Sequence, residues 1–186
     1  MICGAVLTGG RSSRFGRDKC RETFKGKKLV EIAFEKLSAV VDEVYVVGKD
    51  YGIGKHVEDV FEYLGPLNAL YSFFTKVSEA GGVMVLPCDM PLVPGKLLEF
   101  IKNISGNFDI VVPEYKGFFE PLVGYYRRTT LPMIKSLIDH QNLAMKNLIL
   151  SPDFRVRIIN ESELKKFGDP SRFFLNINYP EDMEKI

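Results

Sequence analysis

The chain has 186 residues, of which 46% are hydrophobic and 26% charged, and its formal net charge is +1 at pH 7. This length suits one well-buried core and is short for two, so we expect a single domain over residues 1–186. A nearly neutral chain with no apolar run of ~18–20 residues has neither the field for DNA or RNA nor a membrane span, so we expect no nucleic-acid or membrane partner.

The first predicted element is a buried strand from Ile2 to Leu7, followed by a loop from Thr8 to Lys19. The loop holds three glycines, three arginines and a lysine. Glycine lets backbone N–H groups approach an anion closely, and the cations offset its charge, so the loop indicates polyphosphate binding. Its spacing is neither that of a P-loop nor that of the dinucleotide fingerprint. A plain turn on a basic face is the alternative, but Arg14, Gly16 and Lys19 at these spacings favour phosphate.

Apolar runs and helical periodicities alternate through the next ninety residues. They predict, in chain order, a helix through Leu29 to Val40, a strand from Glu43 to Val47, a helix behind Pro66, a strand from Val83 to Leu86 and a helix behind Pro94. This alternation is typical of an α/β fold with a mainly parallel central sheet.

Right-handed crossovers place the strand ends that carry Thr8 and Asp89 at one edge of such a sheet, where ligands bind in open α/β folds. Mg²⁺ is commonly held by one or two carboxylates together with substrate phosphates, so Asp89 is a candidate metal ligand. The alternative is that Asp89 caps the following helix. Its position opposite a basic loop favours the metal.

Acidic residues precede Gly65 in another connection between a strand and a helix, at Glu58, Asp59 and Glu62. One of these carboxylates is a candidate hydrogen-bond acceptor for a nucleobase or ribose. A solvated acidic turn is the alternative.

The last third predicts strands at Ile110 to Val112, Phe118 to Tyr126 and Arg155 to Ile159, helices at Leu131 to Ile138 and Leu143 to Leu150, an extended segment from Phe173 to Asn178, and a short helix after it. Glu120, Pro121 and Leu122, together with Asn176 and Asn178, are candidates to line a second pocket. Aromatic strands are more typical of a core than of a ligand wall. The two asparagines need hydrogen-bond partners if they are buried.

The cysteines, Cys3, Cys20 and Cys88, are odd in number and lack metal-binding spacing. We therefore expect no disulfide framework and no zinc site. Cys20 and Cys88 flank candidate site residues, but we expect both to be small packing residues in a reducing cytoplasm.

The ordered set of motifs resembles the nucleotidyltransferases, and among them the molybdenum cofactor guanylyltransferases. The matching elements are Leu7 to Lys19, Gly65 to Leu67, Pro87 to Pro91, Glu120 to Leu122 and Asn176 to Asp182, which cover nearly the whole chain in family order. The resemblance implies a three-layer, Rossmann-like nucleotidyltransferase (GT-A type) fold. It divides the chain into a nucleotide-binding part, about residues 1–105, and an acceptor part, about residues 106–186.

This resemblance implies an enzyme that transfers GMP from GTP to the terminal phosphate of molybdopterin and releases pyrophosphate, with Mg²⁺ as cofactor. It implies catalytic roles for Lys19, Arg14 and Asp89, and metal binding by Asp89. The implied nucleotide contacts are Leu7, Thr8, Gly9, Gly10, Lys19, Asp59 and Asp89, and the implied acceptor contacts are Pro121, Asn176 and Asn178. Other cofactor assembly proteins and apo-molybdoenzymes are implied partners.

Related cytidylyltransferases typically have Ala-Gly where this chain has Gly9 and Gly10, which favours guanine. Three departures from the family pattern concern Phe15 in place of Met, Gly48 and Lys49 in place of an Asn, and a shorter segment before Gly65. The alternatives are a cytidylyltransferase or other nucleotidyltransferase of the same fold with a different phosphate acceptor, and a non-catalytic GTP-binding partner in cofactor delivery.

Overall fold

The computed structural model describes residues 1–8, 18–62, 64–177 and 182. Within these ranges the strands are β1 (Ile2–Leu7), β2 (Thr23–Phe24), β3 (Lys27–Lys28), β4 (Val44–Val47), β5 (Lys55–Val57), β6 (Gly82–Pro87), β7 (Ile110–Tyr115), β8 (Phe118–Phe119), β9 (Gly124–Arg127) and β10 (Val156–Ile159). The α-helices are α1 (Leu29–Ser38), α2 (Pro66–Lys76), α3 (Gly95–Ile104), α4 (Leu131–Asp139), α5 (Met145–Ile149), α6 (Glu161–Leu164) and α7 (Pro170–Phe173).

The main sheet has the strand order β10-β7-β9-β6-β1-β4-β5, and β8 pairs with the end of β7. β1 lies parallel to β4 and β6, β4 to β5, and β7 to β10, whereas β9 runs antiparallel between β6 and β7. β2 and β3 form a small separate hairpin. The central strands are apolar on both faces, as a covered parallel sheet requires.

Helices cover both faces of the sheet, and the alternation of side chains along β1 shows how. Ala5 and Leu7 pack with α2, α4 and α5, in a core that includes Phe73. Val6 points to the other face and packs with α1, α3 and α7, in a core that includes Leu37. The predicted three-layer fold with a mainly parallel sheet is therefore confirmed.

The helix starts predicted from Pro66 and Pro94 are confirmed. α2 begins at Pro66 behind Gly65, whose φ of 72° suits glycine, and α3 begins directly after Pro94. Strand β1 has the predicted bounds.

One predicted strand and one predicted extended segment were wrong in part. The segment Phe118 to Tyr126 divides into β8, a turn and β9, because the turn bonds within itself from Val123 N to Glu120 O and contains Pro121, which has no N–H for a ladder. Phe173 is not extended but ends α7, a short helix that Asp169 caps and Pro170 begins. The helix predicted after Asn178 lies almost wholly outside the described residues.

Candidate nucleotide-binding site

The candidate site lies at the edge where β1, β4, β5 and β6 end. The N–H of Cys88 donates to the carbonyl of Leu7, which joins the ends of β1 and β6. Thr8 donates from its N–H and from its Oγ1 to the carbonyl of Val47, at 3.0 and 2.9 Å, so the residue after β1 is held against the end of β4. As predicted, Thr8 and Asp89 lie at one edge of the sheet.

Lys19 and Asp89 are in direct contact. Lys19 begins a 3₁₀ helix, Lys19–Arg21, and its Nζ forms an ion pair with Oδ2 of Asp89. The two side chains are only 23% and 14% exposed, so the pair is partly shielded from water. Asp89 does not cap α3, whose N-cap is Pro94. The structure thus brings together the cation and the carboxylate that the sequence singled out.

A disulfide joins the residues next to this pair. Cys20 and Cys88 are bonded across a sequence separation of 68 residues, with their Cα atoms 5.7 Å apart. The expectation that both are packing residues was wrong, because the fold brings the turn after Lys19 against the turn at the end of β6. Cys3 is a free, buried thiol, as a packing residue would be.

Asp59 follows β5. Among the described residues, its Oδ1 is the one buried side-chain oxygen or nitrogen without a hydrogen-bond partner. Burial raises the pKa of this carboxyl, and nearby Lys76 and Ser72 reduce that effect. The residues after it are anchored from α2: the N–H of Val60 donates to Ser72 Oγ at 2.8 Å, and Asn68 bonds the backbone of Phe61 in both directions. Oδ1 of Asp59 is therefore shielded from water, although the neighbouring Glu58 and Val60 are exposed.

The loop after Asp89 is held by a half-buried lysine, Lys36, that the sequence analysis missed. Lys36 of α1 donates from Nζ to the carbonyls of Pro91 and Val93, at 2.5 and 2.6 Å. Burial lowers the pKa of Lys36 to about 8. The available signal was its place within one turn of the apolar residues Ala33 and Leu37, on the buried side of α1.

The acceptor candidates lie nearby on two segments. β9 begins opposite Val85 of β6, so the turn containing Pro121 lies at the same sheet edge as Asp89. The backbone N–H of Ile177 donates to the carbonyl of Asp89 at 2.9 Å, which brings the segment with Asn176 to the site. The side chain of Asn176 is exposed, so the argument from buried amides does not apply to it.

Gly9, Gly10 and Arg14 lie outside the described residues, as does Asn178. Over the described ranges, no three His, Cys, Asp or Glu side chains cluster closely enough to hold a metal ion without further ligands. No helix in those ranges is long and apolar enough to cross a membrane.

Comparisons with known proteins identify the family to which the chain belongs. The family model of the MobA-like NTP transferase domain matches residues 4–153. A probable molybdenum cofactor guanylyltransferase of Geobacillus sp. is 34% identical, covering 100% of this chain and 97% of the relative. The structure of molybdopterin-guanine dinucleotide biosynthesis protein A from Archaeoglobus fulgidus superposes with a TM-score of 0.80 at 24% identity, covering 98% of this chain and 95% of that one. A Mycobacterium tuberculosis protein in complex with manganese superposes with a TM-score of 0.66 at 19% identity, covering 86% and 87%.

Proposed function

Since the chain belongs to the MobA-like nucleotidyltransferases, and within them to the molybdenum cofactor guanylyltransferases, we propose that it transfers GMP from GTP to the terminal phosphate of molybdopterin, releasing pyrophosphate. The contact of Lys19 with Asp89 at the edge where β1 and β6 end is the observation that carries this proposal. It places a cation and a carboxylate side by side beside Thr8, where a nucleotide and a divalent ion would meet.

For the nucleotide, we assign phosphate contacts to Lys19 and to the loop that starts at Thr8, including Gly9, Gly10 and Arg14. Leu7, at the end of β1, would support that loop. We assign the guanosine contact to Asp59, as the family resemblance implies. Asp59 follows β5 at the sheet edge where β1 also ends, which supports this assignment. The proposed preference for GTP over CTP rests on the pair Gly9 and Gly10.

A divalent cation fits the donors at this site. Asp89 offers a hard carboxylate ligand, and an ion such as Mg²⁺ takes its other ligands from water and substrate phosphates. When bound, the ion would neutralise charge on the phosphates during transfer. The manganese complex of the fold neighbour from Mycobacterium tuberculosis supports a divalent ion in proteins of this fold, and we propose Mg²⁺ here.

The chemistry needs no general base from the protein. A phosphate oxygen of the acceptor, already ionised at neutral pH, forms a bond to the α-phosphorus of GTP. The bond from that phosphorus to the oxygen bridging it to the β-phosphorus breaks, and pyrophosphate leaves with the electron pair. The obstacle is the repulsion between anions, so preorganised positive charge from Lys19 and Arg14 and in-line positioning lower the barrier.

We assign the acceptor to the C-terminal part of the chain. Pro121, Asn176 and Asn178 would contact molybdopterin, since the segments of Pro121 and Asn176 reach the sheet edge beside Asp89. The proposed division is one domain, with nucleotide binding in about residues 1–105 and acceptor binding in about residues 106–186. Use of GTP supports a cytoplasmic location. We propose other cofactor assembly proteins and apo-molybdoenzymes as further partners.

A pyrophosphate-release assay with each of the four nucleoside triphosphates tests the reaction, with and without molybdopterin. We expect release only when GTP, molybdopterin and Mg²⁺ are all present. Release with CTP in preference to GTP would support the cytidylyltransferase alternative. GTP binding without release under any condition would support the non-catalytic alternative.

Two variants test the assigned roles. Lys19→Ala should lower kcat by ~10²–10³, the range for removing one preorganised charge-stabilising donor. Asp89→Asn should abolish the Mg²⁺-dependent release of pyrophosphate while the fold is retained. Lys96→Ala and Glu99→Gln, at exposed positions of α3, are the matched controls and should react like the parent. Turnover of Lys19→Ala within threefold of the parent, or an unchanged metal titration of Asp89→Asn, would contradict these roles.

A further inference from the structure

Asp18 builds the turn from which Lys19 projects. It is the N-cap of the 3₁₀ helix Lys19–Arg21, and its Oδ1 accepts the N–H of Cys20 at 3.2 Å. Nothing in the sequence motif explains why a carboxylate should stand directly before a lysine that must meet phosphate, since its charge opposes the anion. Its contacts supply the reason.

The connection between β4 and β5 neutralises and holds that carboxylate. The hydroxyl of Tyr51 donates to Oδ1 of Asp18 at 2.7 Å, and Nζ of Lys49 donates to Oδ2 at 2.6 Å. Tyr51 is half-buried, whereas the Lys49 side chain is 57% exposed, so the bond from Tyr51 is the better shielded of the two. Burial alone would raise the pKa of Asp18, but the bonds from Lys49 and Tyr51 outweigh it and hold the pKa below its ordinary value.

Tyr51 is itself fixed in place. The guanidinium of Arg21 lies 5.5 Å from the centre of its ring, and Nζ of Lys49 lies 5.9 Å from it, both within the range of cation–π attraction. Burial, and after it the bond to Asp18, raises the pKa of Tyr51 above its ordinary value, and its hydroxyl is the donor in that bond.

The same connection also holds the other side of the candidate site. Oγ1 of Thr8 donates to the carbonyls of Val47 and Lys49, at 2.9 and 3.2 Å. Lys49 stands where the family pattern has an Asn, and here its side chain reaches Asp18. One short segment therefore ties the start of the loop at Thr8 to its end at Lys19.

We propose that Tyr51 and Asp18 are positioning residues for Lys19, holding the turn so that Nζ of Lys19 lies beside Asp89. Tyr51 acts through Asp18 on Lys19 and takes no part in the bond changes. The inference rests on the role of Lys19 in the proposed function.

A double-mutant cycle in the full chain tests the inference, with pyrophosphate release from GTP, Mg²⁺ and molybdopterin as the readout. Tyr51→Phe removes one hydroxyl and keeps the ring. We expect it to lower kcat about tenfold, a modest cost for a displaced catalytic group, with little change in KM for GTP. In the Lys19→Ala background the same change should lower kcat less than twofold, because the group it positions is gone.

Tyr45→Phe is the matched control. Its hydroxyl also donates to a carboxylate, Glu43, at 2.8 Å, but at the start of β4, the opposite edge of the sheet from Asp89. We expect its kcat and KM to equal those of the parent.

Two results would overturn the inference alone: parent-like kcat in Tyr51→Phe, or equal losses from Tyr51→Phe in both backgrounds, which a merely structural role would produce. Parent-like turnover of Lys19→Ala would instead overturn the assigned role of Lys19 and the positioning of it together. The melting temperatures of all variants show whether a loss of kcat comes from unfolding.

Discussion

Glu120 is a single residue whose environment sets a pH dependence. Burial raises the pKa of its carboxyl to about 7 from an ordinary value of 4.5. Below pH 4.5 the group is neutral in the folded and the unfolded chain. As the pH rises from there to about 7, the unfolded chain ionises first, so the folded chain binds more protons and its stability falls through this window.

We therefore expect Glu120→Gln, which cannot ionise, to be more stable than the parent at pH 8 and to differ least from it near pH 4.5. The shift corresponds to at most about 3 kcal/mol between protonation states, and solvent screening reduces it to about 1 kcal/mol, or ~2–4 °C in Tm. Thermal melts of both proteins from pH 4.5 to pH 8.5 measure this. Glu99→Gln, at an exposed position of α3, should show no such trend, and a constant difference for Glu120→Gln would contradict the expectation.

Residue types at strand ends were enough to predict part of the site. Asp89 follows an apolar strand and Lys19 ends a loop of glycine and cations, so both could be selected from the sequence, and the structure joins them. The contacts of Lys36 and Tyr51 could not be predicted, because each side chain reaches a segment 33 or more residues away in the sequence, and only the fold shows which carbonyl or carboxylate it meets. The disulfide between Cys20 and Cys88 was not predicted for the same reason, since 68 residues of sequence separate the two cysteines.

Elements long enough to carry a period were predicted well. β1 and α2 have apolar patterns of six and eleven residues, and packing on both faces of the sheet leaves little freedom in their placement. β5 and the hairpin of β2 and β3 are two or three residues each, too short to show alternation, and were missed. These short strands form because other strands lie beside them, not because of their own sequence pattern. β5, for example, pairs with the edge of β4.

The residues of β9 predict a buried strand, but they do not predict that this strand runs antiparallel to its neighbours. Its residues Tyr125 and Tyr126 are buried and alternate between the two cores, as a strand with apolar residues on both faces would predict. Its direction is set by the reversal at Lys116 and Gly117, both with positive φ, because β8 and β9 then both run antiparallel to β7. That return brings the acceptor candidates to the edge where the nucleotide candidates already lie.

At the scale of the whole molecule, the bond between Cys20 and Cys88 links the first loop region to the centre of the sheet across 68 residues of chain. Closing a loop of this length in the unfolded chain corresponds to about 4 kcal/mol on the chain-entropy model. For a chain of this size, that corresponds to roughly 10 °C in Tm. We expect the oxidised protein to melt at the higher temperature and full reduction to remove the difference.

Thiol titration and melting together test this bond. The oxidised, denatured chain should show one reactive thiol, that of Cys3, and the reduced chain three. Cys20→Ala combined with Cys88→Ala should melt at one temperature with or without reductant, whereas Cys3→Ala should keep the dependence. Three thiols in the oxidised chain would restore the interpretation of Cys20 and Cys88 as packing residues. One thiol with no change in Tm on reduction would show instead that the bond adds no stability, because the fold already holds the turns of Lys19 and Asp89 together.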